Sequence, residues 1–495
     1  MYRNAFSTAG VCSPSRCAVI TGMYATSIGA HHHRTSTDSH TDYLPTPYET
    51  VPPPYVKTFT EYMRGQGYYC TNNRKTDYQF AAPFTSWDEN NGQAHWRNRK
   101  PGSPFFAVFN LEKSHESGMW RKYDRLITDP ADVALPPYLP DTEKSRRTLA
   151  LHYDNLAEND AKVGMLLEQL EEDGLTDNTI VFIWSDHGEG LPRHKRWLYD
   201  SGTRVPLIVR WPGRINPGTV SDRLVSMIDL TPTVLSLTGI TVPKHLQGEP
   251  FIGPKASEAG REFVYAARDR HDVGYDMVRS VRDSRFKYIR NFYPDKHYFD
   301  WVPYGHQHGI LQEMWRLYAE DKLEGPQKAL MGNGRPAEEL YDILNDPHEI
   351  RNLAEMPEYR GELARLSDEL DRWRSKVGDM GEVPEPQMAK LMWPEGTKPV
   401  TAPVQFVPID HDHIGNKDAA YGGVHTYKAP ALLMLYCATQ GASIAYTTEQ
   451  GENCAWTLYT SPLRLPEGRT SIRAKAVRIG YAESREAAVT LDIQR

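Results

Sequence analysis

The chain has 495 residues, 39% of them hydrophobic and 24% charged, with a formal net charge of −7. This is the composition of a globular protein long enough for roughly two to four domains, and its acidic balance argues against a nucleic-acid binder. No apolar run approaches the roughly 18 residues needed to cross a bilayer, so an anionic ligand must be recruited by local cations.

In chain order, the first residues, MYRNAFSTAG, lack the long apolar core of a signal peptide. Next come Cys12, Ser13, Pro14, Ser15 and Arg16, then Thr21-Gly22. Pro14 suits the first turn of a helix, and a helix N-terminus favours anionic groups. Cys12 and Arg16 are too close for the phosphate loop of a cysteine phosphatase. His31-His32-His33-Arg34 reads as a loop, either lining a pocket or solvated, and is weak as a metal site. Lys75 and Asp77 follow in TNNRKTDYQF.

FFAVFNLE (105–112) and NTIVFIWS (178–185) read as buried strands, with PLIVRW (206–211) a third. Lys113-Ser114-His115-Glu116 follows the first strand and Asp186-His187-Gly188 the second. Between them a long helix is expected, with the apolar stripe Leu149, Tyr153, Leu156, Val163, Leu167 and Leu170. Asp160 interrupts that stripe and reads as a carboxylate hydrogen-bonded inside the fold. A shorter helix at 228–238 ends at Gly239. Strands alternating with helices predict an α/β fold with a mostly parallel sheet sandwiched by helices.

Residues 256–382 open with short strands and close on an amphipathic helix within YRGELARLSDELDRWRSKV, the pattern of a smaller α+β subdomain. The proline-rich stretch 383–430 reads as a linker. Its Asp410-His411-Asp412-His413 cluster reads as solvated polarity, with a second cation site as the alternative. Short alternating segments over 431–495, split by Gly and Pro turns, predict a small β-sandwich. Five cysteines are too sparse for a disulfide scaffold, though Cys437 and Cys454 are candidates to pair.

The run Cys12-Ser13-Pro14-Ser15-Arg16 with Thr21-Gly22 resembles the maturation motif of the formylglycine-dependent sulfatases, which have an alkaline-phosphatase-like fold. In that family a dedicated formylglycine-generating enzyme oxidises the cysteine to an aldehyde. The hydrated aldehyde offers one hydroxyl to attack sulfur and a second from which the carbonyl reforms as sulfate leaves. The resemblance assigns Asp186, His187 and the modified Cys12 to a Ca²⁺ or Mg²⁺ ion. Asp186 is also a candidate to take the proton of the attacking hydroxyl, and Arg16 joins the catalytic set. Lys75 and Lys195 match sulfate-gripping lysines, and His194 is a possible second contact. Asp77 departs from the family histidine at that place. His115 matches the group that protonates the leaving oxygen, a task suited to imidazole.

ELYDILNDPHEIRNLA (339–354) resembles the sulfatase C-terminal subdomain, so the likeness covers residues 1 to about 380. The division implied is a catalytic α/β domain (1–255), a C-terminal subdomain (256–382), a linker (383–430) and an Ig-like β-sandwich (431–495) resembling modules of hexosaminidases. Family members begin with a strand ending in two metal-binding aspartates. No Asp or Glu precedes Cys12 here, so the sequence reads as a fragment or one with a mis-set start, its sheet short of a central member.

Three functions remain open. One is a sulfatase of sulfated oligo- or polysaccharides, nearest the sulfamidase-like branch and exported to the periplasm or cell exterior. The second is a phosphonate or phosphate-ester hydrolase using the same aldehyde. The third is a non-catalytic glycan-binding relative. No nucleic-acid partner and no membrane span are expected.

Overall fold

The computed structural model describes residues 1–36, 47–120, 125–412, 424–452 and 454–495. Its first strands are β1 (Tyr2–Phe6), β2 (Tyr69–Asn73), β3 (Glu89–Asn90), β4 (Phe105–Phe109), β5 (Val181–Trp184), β6 (Arg204–Arg210) and β7 (Ser221–Ser226). They form two sheets, ordered β5-β6-β1-β7 and β3-β2-β4. The pairings β1–β7, β2–β3 and β2–β4 are parallel, whereas β6 runs antiparallel to both β1 and β5. The expected α/β architecture is present. Strand β1, which YRNAF did not announce, sits inside the first sheet with Ala5 and Phe6 buried.

The two sheets are not joined edge to edge. Strands β4 and β5 are both edge strands, and both border one cavity of about 1960 Å³. Val163, Leu166, Leu167 and Leu170 of the helix Glu143–Glu172 line the same cavity. This explains why β4 and β5, expected as buried strands, are only half-buried along their whole length. The helix stripe is likewise buried at its ends and open in its middle: Leu149 is 2% exposed and Leu156 43%. Asp160 is exposed, not inside the fold as expected.

Strands β8 (Val264–Arg268), β9 (Val278–Arg282), β10 (Phe286–Asn291) and β11 (Glu338–Asp342) form an antiparallel sheet ordered β11-β10-β9-β8. The helix Arg360–Val377 packs on it through Leu366, Leu370 and Trp373, whose spacing of four and three residues puts them on one face. Trp373 stacks on Tyr265 of β8 at 4.9 Å.

The remaining strands are β12 (Val404–Ile409), β13 (Val424–Lys428), β14 (Ala431–Cys437), β15 (Ser443–Thr447), β16 (Thr457–Leu458), β17 (Leu463–Leu465), β18 (Gly468–Val477) and β19 (Ala487–Gln494). They make two sheets, β12-β14-β17 and β13-β19-β18-β15-β16, that share a core around Phe406, Leu433, Ala474 and Leu491. The sandwich therefore begins inside the stretch 383–430, which the sequence presented as a linker. Pro408 disguised β12, and it is tolerated because β12 is an edge strand. The helix Glu385–Met392 also lies in that stretch, its Glu385 buried against Arg270. Asp410 is buried and accepts from the backbone of Asp412 and Lys428, so it closes a turn. His411 is exposed, as a solvated cluster requires, and His413 lies outside the described residues. Cys437 and Cys454 are both free, without the pairing considered above. The sandwich is fastened to the first domain: Lys57 Nζ donates to Gly441 O at 2.6 Å and Arg64 Nη2 to Trp456 O at 2.9 Å.

Candidate active site

Cys12 is the first residue of the helix Cys12–Thr21 and is 1% exposed. Its Sγ lies 3.2 Å from His187 Nε2 and 3.6 Å from Lys75 Nζ. Arg16, one turn on, donates from Nε to Asp186 Oδ2 at 2.6 Å and from Nη1 to Asn110 Oδ1 at 2.9 Å. Lys195 Nζ is 3.3 Å from His115 Nε2 and 3.5 Å from Glu116. Four stretches of the chain, 12–16, 75, 110–116 and 186–195, thus meet around the buried Cys12.

Local structure explains how each arrives. Asp186 and His187 follow β5, and Lys75 lies just beyond β2, so both motifs sit past the carboxyl ends of strands, where α/β sheets carry their ligands. Gly188 completes the motif because a Cβ there would meet Ser201 O at 2.1 Å. The His187 ring is oriented by its contact with Gly188 O, 2.7 Å from Nδ1. A carbonyl only accepts, so Nδ1 carries a proton and Nε2 is the ring atom that faces Cys12. Arg74, Asp77, Arg193 and Arg196 all have φ between 56° and 75°. Such backbone is costly for non-glycine residues and collects at functional sites.

The electrostatics favour an anion. Burial opposes ionisation of the Cys12 thiol, yet Lys195, His187 and His115 hold its pKa well below the usual value. Burial likewise works against the Asp186 carboxylate, and Arg16 still holds its pKa below the ordinary range. Cys12 Sγ marks where the oxygens of an aldehyde hydrate would stand, with cations on two sides. Among the described residues, Cys12, Asp186 and His187 are the group whose ligand atoms all lie within 4.8 Å of one another.

Not every candidate converges. His194 is buried, but its ring meets Tyr138 OH at 2.8 Å and Glu189 at 3.0 Å, partners other than the groups around Cys12. Asp77 pairs with Arg34 at 3.4 Å and touches neither Cys12 nor Lys75. His31, His32 and His33 are all buried, so the solvated-loop reading fails. His33 faces Asp272 at 3.4 Å. Sequence reasoning missed Asn110, Glu116 and Tyr304. Glu116 binds Arg196 through two contacts of 2.9 Å, and burial notwithstanding, Arg196 and Lys195 bring its pKa down to about 2. Adjacency to His115 was the available signal for Glu116.

Comparison with known proteins agrees with this geometry. The family model "Sulfatase" matches residues 1–240, and the model "N-sulphoglucosamine sulphohydrolase, C-terminal" matches 188–333. The chain is 39% identical to an ulvan-active sulfatase of Formosa agariphila, over 98% of this chain and 84% of that one. It is 28% identical to the N-sulphoglucosamine sulphohydrolase of Homo sapiens, over 77% of this chain and 84% of that one. A solved 2-O GAG sulfatase superposes with a TM-score of 0.54 at 20% identity, covering 76% of this chain and 84% of that one, a likeness of fold alone. With the motif residues gathered at Cys12, the chain belongs to the sulfatase family, hydrolases of sulfate esters.

Proposed function

We propose that this chain removes sulfate from a sulfated carbohydrate at a formylglycine made from Cys12. The observation that carries this reading is the cation-walled pocket at Cys12, with Lys75 and His187 within 3.6 Å of its sulfur and Lys195 beside His115. Relatives named for ulvan and for N-sulphoglucosamine support a sulfated glycan as substrate. An aldehyde hydrate at residue 12 supplies an oxygen nucleophile and a second hydroxyl for release of sulfate.

The other roles follow from charge and place. Lys75 and Lys195 bind the sulfate oxygens and neutralise charge that builds on them. His115, beside Lys195, protonates the departing oxygen or nitrogen of the sugar. Arg16 keeps Asp186 ionised, which makes Asp186 a poor base and a good ligand. The carboxylate of Asp186 and the lone pair of His187 fit a divalent cation, Ca²⁺ or Mg²⁺, whose shell water and substrate oxygens would complete. Such an ion would polarise the sulfate as a Lewis acid. Because Cys12 is buried in the folded chain, a formylglycine-generating enzyme must reach it before folding. A sulfated glycan substrate supports a location in the periplasm or outside the cell. Among the described residues no helix is long and apolar enough to cross a membrane.

The test pairs sulfate esters with phosphate and phosphonate esters of the same alcohols, on the matured chain and on Cys12→Ala. Sulfate release that vanishes in Cys12→Ala is expected. Preference for the phosphorus esters would favour the phosphonate hydrolase reading, and saccharide binding without turnover the non-catalytic one.

A further inference from the structure

The proton donor His115 has a neighbour that the sulfatase motifs do not account for. Tyr304, from the second half of the chain, lines the cavity beside His115. Its OH is 3.5 Å from His115 Nδ1, and the two ring centres are 6.1 Å apart. Trp120 backs Tyr304 at 4.4 Å between ring centres.

The ring is also held in place. Glu116, next to the proton donor, grips Arg196 through two 2.9 Å contacts. The Arg196 guanidinium in turn lies against Gly305, where a Cβ would sit 3.3 Å from Cζ. The peptide that carries His115 and the loop that carries Tyr304 are thus bolted together through one buried ion pair. An aromatic ring fixed relative to a proton donor is what a leaving sugar needs. The C–H face of a pyranose is apolar and packs on an aromatic face, while its hydroxyls keep their hydrogen bonds.

Resting on the sulfatase reading of Cys12, we propose that Tyr304, backed by Trp120, is the platform for the sugar ring that carries the sulfate and sets the preference for saccharide substrates. Tyr304 is a substrate-positioning residue. It holds the ring so that the sulfated oxygen meets His115, and it takes no part in the bond changes at sulfur.

The experiment measures binding of a panel of monosulfated pyranosides by calorimetry, in a Cys12→Ala background that cannot turn them over. Inorganic sulfate serves as the ring-free control. Tyr304→Ala should weaken the best pyranoside about tenfold or more, a loss of the size aromatic contacts give. Tyr304→Phe should stay within about twofold, because the ring remains. Inorganic sulfate should bind all three chains alike, which also shows that the pocket is folded. Equal pyranoside binding by Tyr304→Ala, a Tyr304→Phe loss as large as that of Tyr304→Ala, or no saturable pyranoside binding would each overturn the platform. Sulfate release by the matured chain is scored separately. Release with unchanged Tyr304→Ala binding removes the platform alone, and ring-dependent binding without release removes the sulfatase reading alone.

Discussion

Arg16 joins Asp186 at 2.6 Å, and the same guanidinium reaches Asn110 at 2.9 Å, so one side chain ties together the ends of the two strands that flank the cavity. Arg16→Lys keeps the charge but cannot fork to both partners. The expected result is a fall in kcat of about 100-fold or more, the cost of misplacing one group that serves the transition state. Mass analysis of residue 12 separates this from failed maturation, since Arg16 also belongs to the motif that the maturing enzyme reads.

Lys75 stands 3.6 Å from Cys12 Sγ and Lys195 3.3 Å from His115 Nε2. Replacing either by Ala removes a charged donor from a buried anion site, where such bonds are worth roughly 1.5–3 kcal/mol. Inhibition by inorganic sulfate should weaken about tenfold to a hundredfold in each variant. An unchanged inhibition constant in Lys195→Ala would remove that lysine from the sulfate site.

A second buried charge cluster predicts a pH effect on stability. Burial, with Asp200 adding to it against the pull of Lys287, raises the pKa of Glu349 to about 7. A carboxyl whose pKa is raised on folding favours the folded state below its unfolded value, and that contribution is lost as pH rises through the folded value. Glu349 therefore costs stability progressively between about pH 4.5 and 7. Glu349→Gln should gain on the parent by an amount on the order of 1–3 kcal/mol between pH 5 and pH 7.5, read from denaturant unfolding. A constant difference across that range would contradict the assignment.

The cavity between β4 and β5 leaves alternate amides of both strands without a sheet neighbour. Hydrogen exchange should be fast at those amides of Phe105–Phe109 and Val181–Trp184, and slow in β1, which is paired on both sides. Uniform protection across β4, β5 and β1 would show the edges to be covered.

Cys12 with Arg16, and Asp186 with His187, stood out in the sequence because each pair lies within one turn or one loop, although their roles too came from the resemblance. Lys75, Lys195 and His115 were legible only through resemblance, and the geometry brings them to the same pocket. What escaped was tertiary. The burial of His31–His33, the Asp77–Arg34 pair and the turn of His194 toward Tyr138 depend on neighbours tens to hundreds of residues away, which no periodicity carries. Strand β1 was hidden by its single buried turn of apolar sequence, Ala5-Phe6, and β12 by Pro408. The half-burial of β4 was hidden for another reason: FFAVF has the composition of a buried strand whether or not a neighbour occupies its far edge.

Sulfate release from a sulfated saccharide, plotted against the fraction of chains that carry the aldehyde at residue 12, bears most directly on the whole account. A straight line through the origin is expected, with Cys12→Ala lying at zero. Release by preparations that contain only the thiol, or by Cys12→Ala at the parent rate, would contradict it.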